Sequence, residues 1–469
     1  MATNGMRPLT VAEAFAETAK ALQQFSIERV RIEGLSSNEE GAEEQIKTMS
    51  ESDFMREFVF HSRPCIIVGA LHDWPAMHRW RDDGYLFDLD GKLPMVYPCE
   101  EKCDDDRCGS ESSGECDTEN AGDGLGDESV EVHAGNDDAP EPVKTLGPRR
   151  VTVALTPNGR ADAVTYVTYR SKGDEDKNQG DGNGPVVTEK LFMSAAEVRV
   201  TLPELYRLLR ANPPFPPLKS QFVDLRRPHS VIAYAQMQNN CLNKEYDHLH
   251  DDISTALDQF GARVFGGPHE AANIWLGTPA SVSSMHQDWV ENLYAVVRGV
   301  KEFILVPPWE GVFVPKPEIP AAAFSISCTE EKVTGSHHSP GGVRYAFNDV
   351  PVRDGTSVGW MDVEITPAAV EDPQYMKEDL RDKLHPLIAY VQPGEVLYLP
   401  ALWLHRVAQH ADAKDSDAIS GPLIEKNHSN GLQGERSKPL PLIAAVNYWY
   451  DMSFVNPAVV MLREFGLLL

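Results

Sequence analysis

The chain has 469 residues, 42% of them hydrophobic, and its 71 acidic side chains outnumber 43 basic ones for a formal net charge of −28. That length supports one large core or two modest ones, and a negative field of this size repels a nucleic-acid duplex while drawing basic partners such as lysine-rich segments. Seven irregularly spaced cysteines argue against a disulfide framework. No apolar run is long enough to span a membrane, and the N-terminal MATNGMRPLT lacks the layout of a signal peptide. A cytoplasmic protein is expected, with the nucleus open.

Thr10-Val-Ala-Glu13 is a capping box, and Phe15, Ala19, Leu22 and Phe25 follow at helical spacing, which predicts a helix over 10–25. A second helix is expected over 52–61, and PCIIVGA (64–70) reads as a buried strand, so residues 1–98 supply N-terminal helices and the first strands. From 99 to 148 Asp, Glu, Gly and Ser dominate; such a segment cannot bury enough surface to offset its ordering entropy, and a disordered acidic insertion is expected. Its cysteines 99, 103, 108 and 116 match no zinc module. Residues 149–230 read as a supporting region. VTVAL (151–155) is its strand, 171–188 a polar insertion, and 202–211 a helix capped by Thr201-x-x-Glu204 and stopped by Pro213 and Pro214.

From 231 to 454 the pattern is β. Short runs rich in Val, Ile, Tyr and Trp recur at 231–238, 272–286, 292–306, 388–391, 395–399, 403–407 and 442–450. They predict a mainly β fold with flanking helices, a sandwich or barrel of the kind that includes the double-stranded β-helix. Insertions near 312–383 and 411–439 interrupt it, the first carrying His337 and His338 in a Gly/Ser/Pro loop. The C-terminal 455–469 (VNPAVVMLREFGLLL) is expected to turn helical after Pro457.

Met285-His286-Gln287-Asp288 ends a β-like run, and in an extended strand residues i and i+2 point the same way, so His286 and Asp288 face one side together. His405, in VLYLPALWLHRV, is the best third ligand. Two imidazoles and a carboxylate leave three coordination positions open, as in the non-haem iron oxygenases, whereas a structural zinc site closes its shell. Alone, an H-x-D tripeptide arises often by chance. Lys301 opens the strand KEFILV after an Arg298-Gly299 turn; it reads either as a surface lysine at a hairpin tip or as a buried ammonium that needs an anionic partner. A second cluster, Asp247-His248-Leu249-His250-Asp251-Asp252, reads as a solvated loop or as an acidic wall for a basic substrate.

The runs NIWLGTPASVSSMHQDWVENLYAVVRGVKEFILVPP, PGEVLYLPALWLHRV and AAVNYWYDM, with RPCIIVGALHDWPAMHRW upstream, resemble the jumonji C family of iron(II)- and 2-oxoglutarate-dependent oxygenases, and within it the protein hydroxylases related to factor inhibiting HIF. The resemblance covers most of residues 50–98, 150–170 and 190–465. It implies a cupin-like jelly roll with His286, Asp288 and His405 as iron ligands and catalytic centre, and Lys301 paired with the C5 carboxylate of 2-oxoglutarate. Tyr234 and Ser283 would bond the same cosubstrate, Ser283 standing where the relatives usually have Thr. Asn292, Tyr294, Asn447 and Trp449 would line its pocket, although Tyr294 and Trp449 read equally well as core aromatics. With dioxygen as co-reactant, the resemblance implies lysyl hydroxylation at carbon 3 of a translation-associated GTP-binding protein, and a homodimer through the C-terminal helix. An Nε-methyl-lysine demethylase needs the same metal ligands, and a catalytically silent scaffold is the third reading.

Overall fold

The computed structural model of the chain describes residues 26–37, 46–96, 147–171, 184–211, 221–330, 343–374, 376–412, 440–453 and 460. The helix expected over 10–25, the body of the acidic insertion with its four cysteines, most of 411–439, His337, His338 and nearly all of 455–469 lie outside these residues. The chain divides into two compact units, Leu93–Arg149 and the remainder. Of the smaller, only the ends are described, joined by an antiparallel bridge between Val96 and Gly147.

Eight strands form its centre: β1 Ala271–Gly277, β2 Val282–His286, β3 Val290–Arg298, β4 Val300–Val306, β5 Leu387–Val391, β6 Val396–Leu399, β7 Leu404–His410 and β8 Ile443–Asp451. Successive strands alternate between two sheets except β4 and β5, which are antiparallel neighbours in the same one. One runs β1-β8-β3-β6 and continues through Cys65–Ile67, Glu28–Ile32 and Lys47–Met49; the other runs β5-β4-β7-β2 and ends on Arg160–Ala161. This crossing pattern is the double-stranded β-helix of cupin-like proteins. The two inner faces share one apolar core, in which Trp275, Tyr294, Val296 and Ala445 of the first sheet meet Phe303, Leu305 and Val407 of the second.

Local sequence explains the pattern. β3 and β6 are buried along nearly their whole length, as strands covered on both faces must be, and accordingly read VENLYAVVR and VLYL without clean alternation. The outer face of the first sheet is covered by helices: Phe54 packs edge-on against Phe260 of the Ala256–Phe265 helix and against Tyr398, with ring centroids 5.3 and 5.5 Å away. Gly299, at φ +73°, makes the tight corner between β3 and β4.

The helix expected over 52–61 is Glu51–Phe54 followed by a π turn, Met55–Val59, with Ser50 as its cap. Leu202–Arg210 forms the helix capped by Thr201, and Arg150–Thr156 the strand read over 151–155. Two readings gain detail. The 312–383 segment is an insertion between β4 and β5 that carries structure of its own. Its strands Glu318–Ala323 and Ser357–Gly359 extend a third sheet built on Val186–Ser194, Ala163–Arg170 and Phe222–Asp224, and the first of these takes the last residues of the supposed polar insertion. The 247–252 cluster is not extended, and although Asp247, His250 and Asp251 are exposed as a solvated loop requires, Asp252 is not. The cluster forms a 3-10 turn in which Asp252, fully buried, accepts hydrogen bonds from Trp80 Nε1 (2.8 Å), Arg79 Nη1 (2.7 Å) and Tyr85 (2.9 Å). Among the described residues no helix is long and apolar enough to cross a membrane.

Candidate metal centre

His286 ends β2, His405 is the second residue of β7, and the two are direct cross-strand partners. Their rings lie 4.1 Å apart, centroid to centroid. Asp288 follows just beyond the end of β2. Its Oδ1 is 3.8 Å from His286 Nε2 and its Oδ2 3.6 Å from His405 Nε2, and one ligand atom from each side chain falls within a 4.8 Å cluster. No other such cluster occurs among the described residues.

The backbone fixes which imidazole atom is offered. His286 Nδ1 donates to the carbonyl of Ser284 at 2.7 Å, and His405 Nδ1 donates to that of Trp403 at 3.0 Å. A carbonyl only accepts, so Nδ1 carries a proton in both rings, and Nε2 is the nitrogen each ring turns toward Asp288. Burial, and then the neighbouring His286, push His405 down to about 4, so the ring is neutral at physiological pH. The loop before His405 is pinned to the segment carrying the other two ligands. Leu402, held at φ +68°, donates its N–H to the carbonyl of Asp288 at 2.8 Å, and the Glu291 carboxylate accepts from Ala401 N and from the Tyr398 hydroxyl. Gln287, between the ligands, accepts from Lys316 Nζ at 2.8 Å.

Register carries the site up the barrel. Leu305 faces His405, Phe303 faces Val407, and Lys301 faces Gln409, so Lys301 shares the inner face with His405 about 13 Å further along the strand. Lys301 is fully buried. Its ammonium donates to Gln409 Oε1 at 2.7 Å and to the Tyr234 hydroxyl at 3.1 Å, lies over the rings of Tyr234 and Tyr294, and meets no carboxylate among the described residues. Burial pulls it down to about 7. The surface-lysine reading is therefore excluded by position.

Tyr234 bonds Ser283 and Tyr294 through its hydroxyl, and burial raises both phenols. Ser283 reaches this face through a β-bulge: it pairs with Val407 while His286 pairs with His405, three residues on β2 against two on β7. Without the extra residue, two positions three apart would point to opposite faces.

On the facing sheet, Asn292 pairs with Trp449 and Tyr294 with Asn447, which places all four on the inner face. Trp275 Nε1 donates to Asn447 Oδ1 at 2.8 Å, so the Asn447 amide donates onward to Asn292 Oδ1 at 3.2 Å and leaves the Asn292 NH2 as the free end of the chain. Trp449 is half-buried, and its Nε1 has no hydrogen-bond partner among the described residues. Gln409 and Trp275 were not singled out in the sequence. The signal for Gln409 was available, since it lies four residues after His405 on an alternating strand.

The donor set fits a divalent transition metal: two imidazole Nε2 atoms and one carboxylate within one 4.8 Å cluster, each ring held by its Nδ1 bond to a carbonyl. The buried ammonium that lacks a carboxylate, on the same inner face, fits a dicarboxylate lying between it and the metal.

Residues 51–456 match the cupin-like domain family. Among curated proteins, the chain is 28% identical to JmjC domain-containing protein E of Dictyostelium discoideum over 88% of its length and 84% of that protein. It is also 28% identical to lysine-specific demethylase JMJ32 of Arabidopsis thaliana, over 86% of the chain and 79% of the relative. With the human bifunctional peptidase and (3S)-lysyl hydroxylase JMJD7 it shares 26% identity over 86% of the chain and 81% of that protein.

Proposed function

The chain belongs to the cupin-like domain family, and on that premise we propose that it is a jumonji C protein, an iron(II)- and 2-oxoglutarate-dependent protein hydroxylase acting on lysine. One observation carries the reading: a cluster of two histidines and one aspartate, with a fully buried ammonium on the same inner face that has no carboxylate of its own among the described residues. A structural metal site has no use for the second feature.

His286 Nε2, Asp288 and His405 Nε2 would hold the iron, which supplies activation of dioxygen when bound with 2-oxoglutarate. The protein's own contribution is placement. Lys301 and Tyr234 hold the far carboxylate of the cosubstrate and so direct its 2-oxo acid end to the metal. The Trp275–Asn447–Asn292 chain fixes one amide donor in the cavity wall. The apolar lining of Tyr294, Phe303 and Val407 keeps water from the reacting atoms.

A lysine target is favoured by the net charge of −28 and by the names of two relatives, one a lysyl hydroxylase and one a lysine-specific demethylase. A translation-associated GTP-binding protein is the first substrate to try. The test is succinate release with lysine-centred peptides, followed by mass spectrometry of the peptide. Gain of one oxygen on unmodified lysine is expected. Loss of a methyl group from methyl-lysine would replace the reading with demethylation, and absence of turnover by protein shown to hold iron and 2-oxoglutarate would leave a scaffold.

A further inference from the structure

Beside the metal ligands lies a carboxylate with no assigned task. Asp162 leaves the short Arg160–Ala161 strand, which pairs in parallel with β2 (Val282 opposite Arg160, Ser283 opposite Ala161). The turn before it is locked to β2 by a hydrogen bond from Val282 N to the Gly159 carbonyl at 2.8 Å. Asp162 stands at φ +51°, a backbone conformation held because its own carbonyl accepts the Ser284 hydroxyl at 2.7 Å. Ser284 in turn braces His286 Nδ1 through its carbonyl. Two hydrogen bonds thus connect Asp162 to a metal ligand.

The Asp162 side chain is half-buried. Burial raises its pKa, the Ser194 hydroxyl bonds it, and His286 lies within electrostatic reach. No lysine or arginine pairs with it among the described residues. Exposed Glu197 adds a second negative charge within electrostatic reach. The charges of the filled centre leave this one over: the divalent metal and Lys301 are cancelled by Asp288 and the two carboxylates of 2-oxoglutarate. Asp162 is then a surplus, partly desolvated anion at the edge of the reacting centre, a costly arrangement unless a cation arrives with the substrate.

We infer that Asp162 is the specificity-determining residue that receives the ε-ammonium of the substrate lysine, placing its methylene carbons toward the metal. This rests on the lysyl reading above and adds the atom that recognises the cation. The charge-assisted N–H···O bond needs a hydrogen on the substrate nitrogen, so unmethylated lysine is preferred over trimethyl-lysine.

Asp162→Asn removes the charge and keeps the backbone, since Asn tolerates positive φ and the 162 carbonyl is untouched. The wild-type and variant proteins, loaded with Mn(II) and 2-oxoglutarate, are titrated with n-butylammonium and with n-butanol, and paramagnetic relaxation of the probe protons is read by NMR. Wild type is expected to bring butylammonium near the metal at least tenfold better than butanol and tenfold better than D162N does, while both proteins show the same thermal stabilisation by 2-oxoglutarate. Equal relaxation of butylammonium by the two proteins, or equal relaxation of both probes by wild type, overturns the inference. The lysine-peptide assay separates the two ideas. Peptides that gain no oxygen while butylammonium still depends on Asp162 sink the hydroxylase reading alone; hydroxylation with unchanged KM in D162N sinks the role of Asp162 alone.

Discussion

Replacing Lys301 by Met should stabilise the cosubstrate-free protein while removing its capacity to bind 2-oxoglutarate. The side chain is fully buried, and burial lowers it from 10.5 to about 7. In the window between those values the unfolded chain binds more protons than the folded one, so folding stability rises with pH across it. At pH 7 the burial penalty is about 4 kcal/mol, and at pH 9 about 2 kcal/mol, from the proton linkage at ~1.4 kcal/mol per unit. Met escapes this penalty but leaves Gln409 Oε1 and the Tyr234 hydroxyl without the donor, an offset that does not change with pH in this range. The stability difference between Lys301→Met and wild type, from urea unfolding, should therefore shift by about 2 kcal/mol in favour of wild type between pH 7 and pH 9. Glu291, which burial holds at about 7, titrates in the same window but is common to both proteins and cancels. The same linkage predicts that 2-oxoglutarate, which needs the charged ammonium, binds wild type about 50-fold more weakly at pH 9 than at pH 7, by calorimetry. A stability difference that is flat with pH would refute the account of Lys301 as an uncompensated buried cation.

Other tests address the surrounding parts. His286→Ala should lower metal affinity by more than the ~10–100-fold typical of residues that merely support a ligand, measured by metal titration. Gly277→Ala places a methyl 2.8 Å from the Tyr234 ring and from Gln409 Nε2. It should raise the KM for 2-oxoglutarate at a stability cost of about 1–3 kcal/mol, with metal loading unchanged. Asp252→Ala removes the acceptor for Trp80, Arg79 and Tyr85 and should cost about 3 kcal/mol in unfolding experiments. An effect of that variant on peptide KM without loss of stability would restore the acidic-wall reading of the 247–252 cluster.

The strands and the His286–Asp288–His405 cluster were legible because both rest on short-range pattern. Alternation and β-branched runs mark β1 to β8, and an H-x-D at a strand end with a distant histidine marks the centre. What escaped depends on pairing between distant segments. The bulge that turns Ser283 inward is a relation between β2 and β7, invisible in either alone. Gln409 matters only because register sets it opposite Lys301. The 312–383 segment looked like an interruption because its strands find partners near residues 163–194, far back in the chain. Asp252 read as solvated because an aspartate run usually is; its burial follows from Trp80 and Arg79, well over a hundred residues earlier.

Each ligand histidine is oriented by a carbonyl two positions before it on its own strand, Ser284 for His286 and Trp403 for His405. The proton that must stay off the coordinating nitrogen is thus fixed by main chain, which no substitution can delete. A centre wired in this way can tolerate free exchange of the side chains and loops around it, and long stretches of new sequence can be accepted between its strands without disturbing how the metal is grasped.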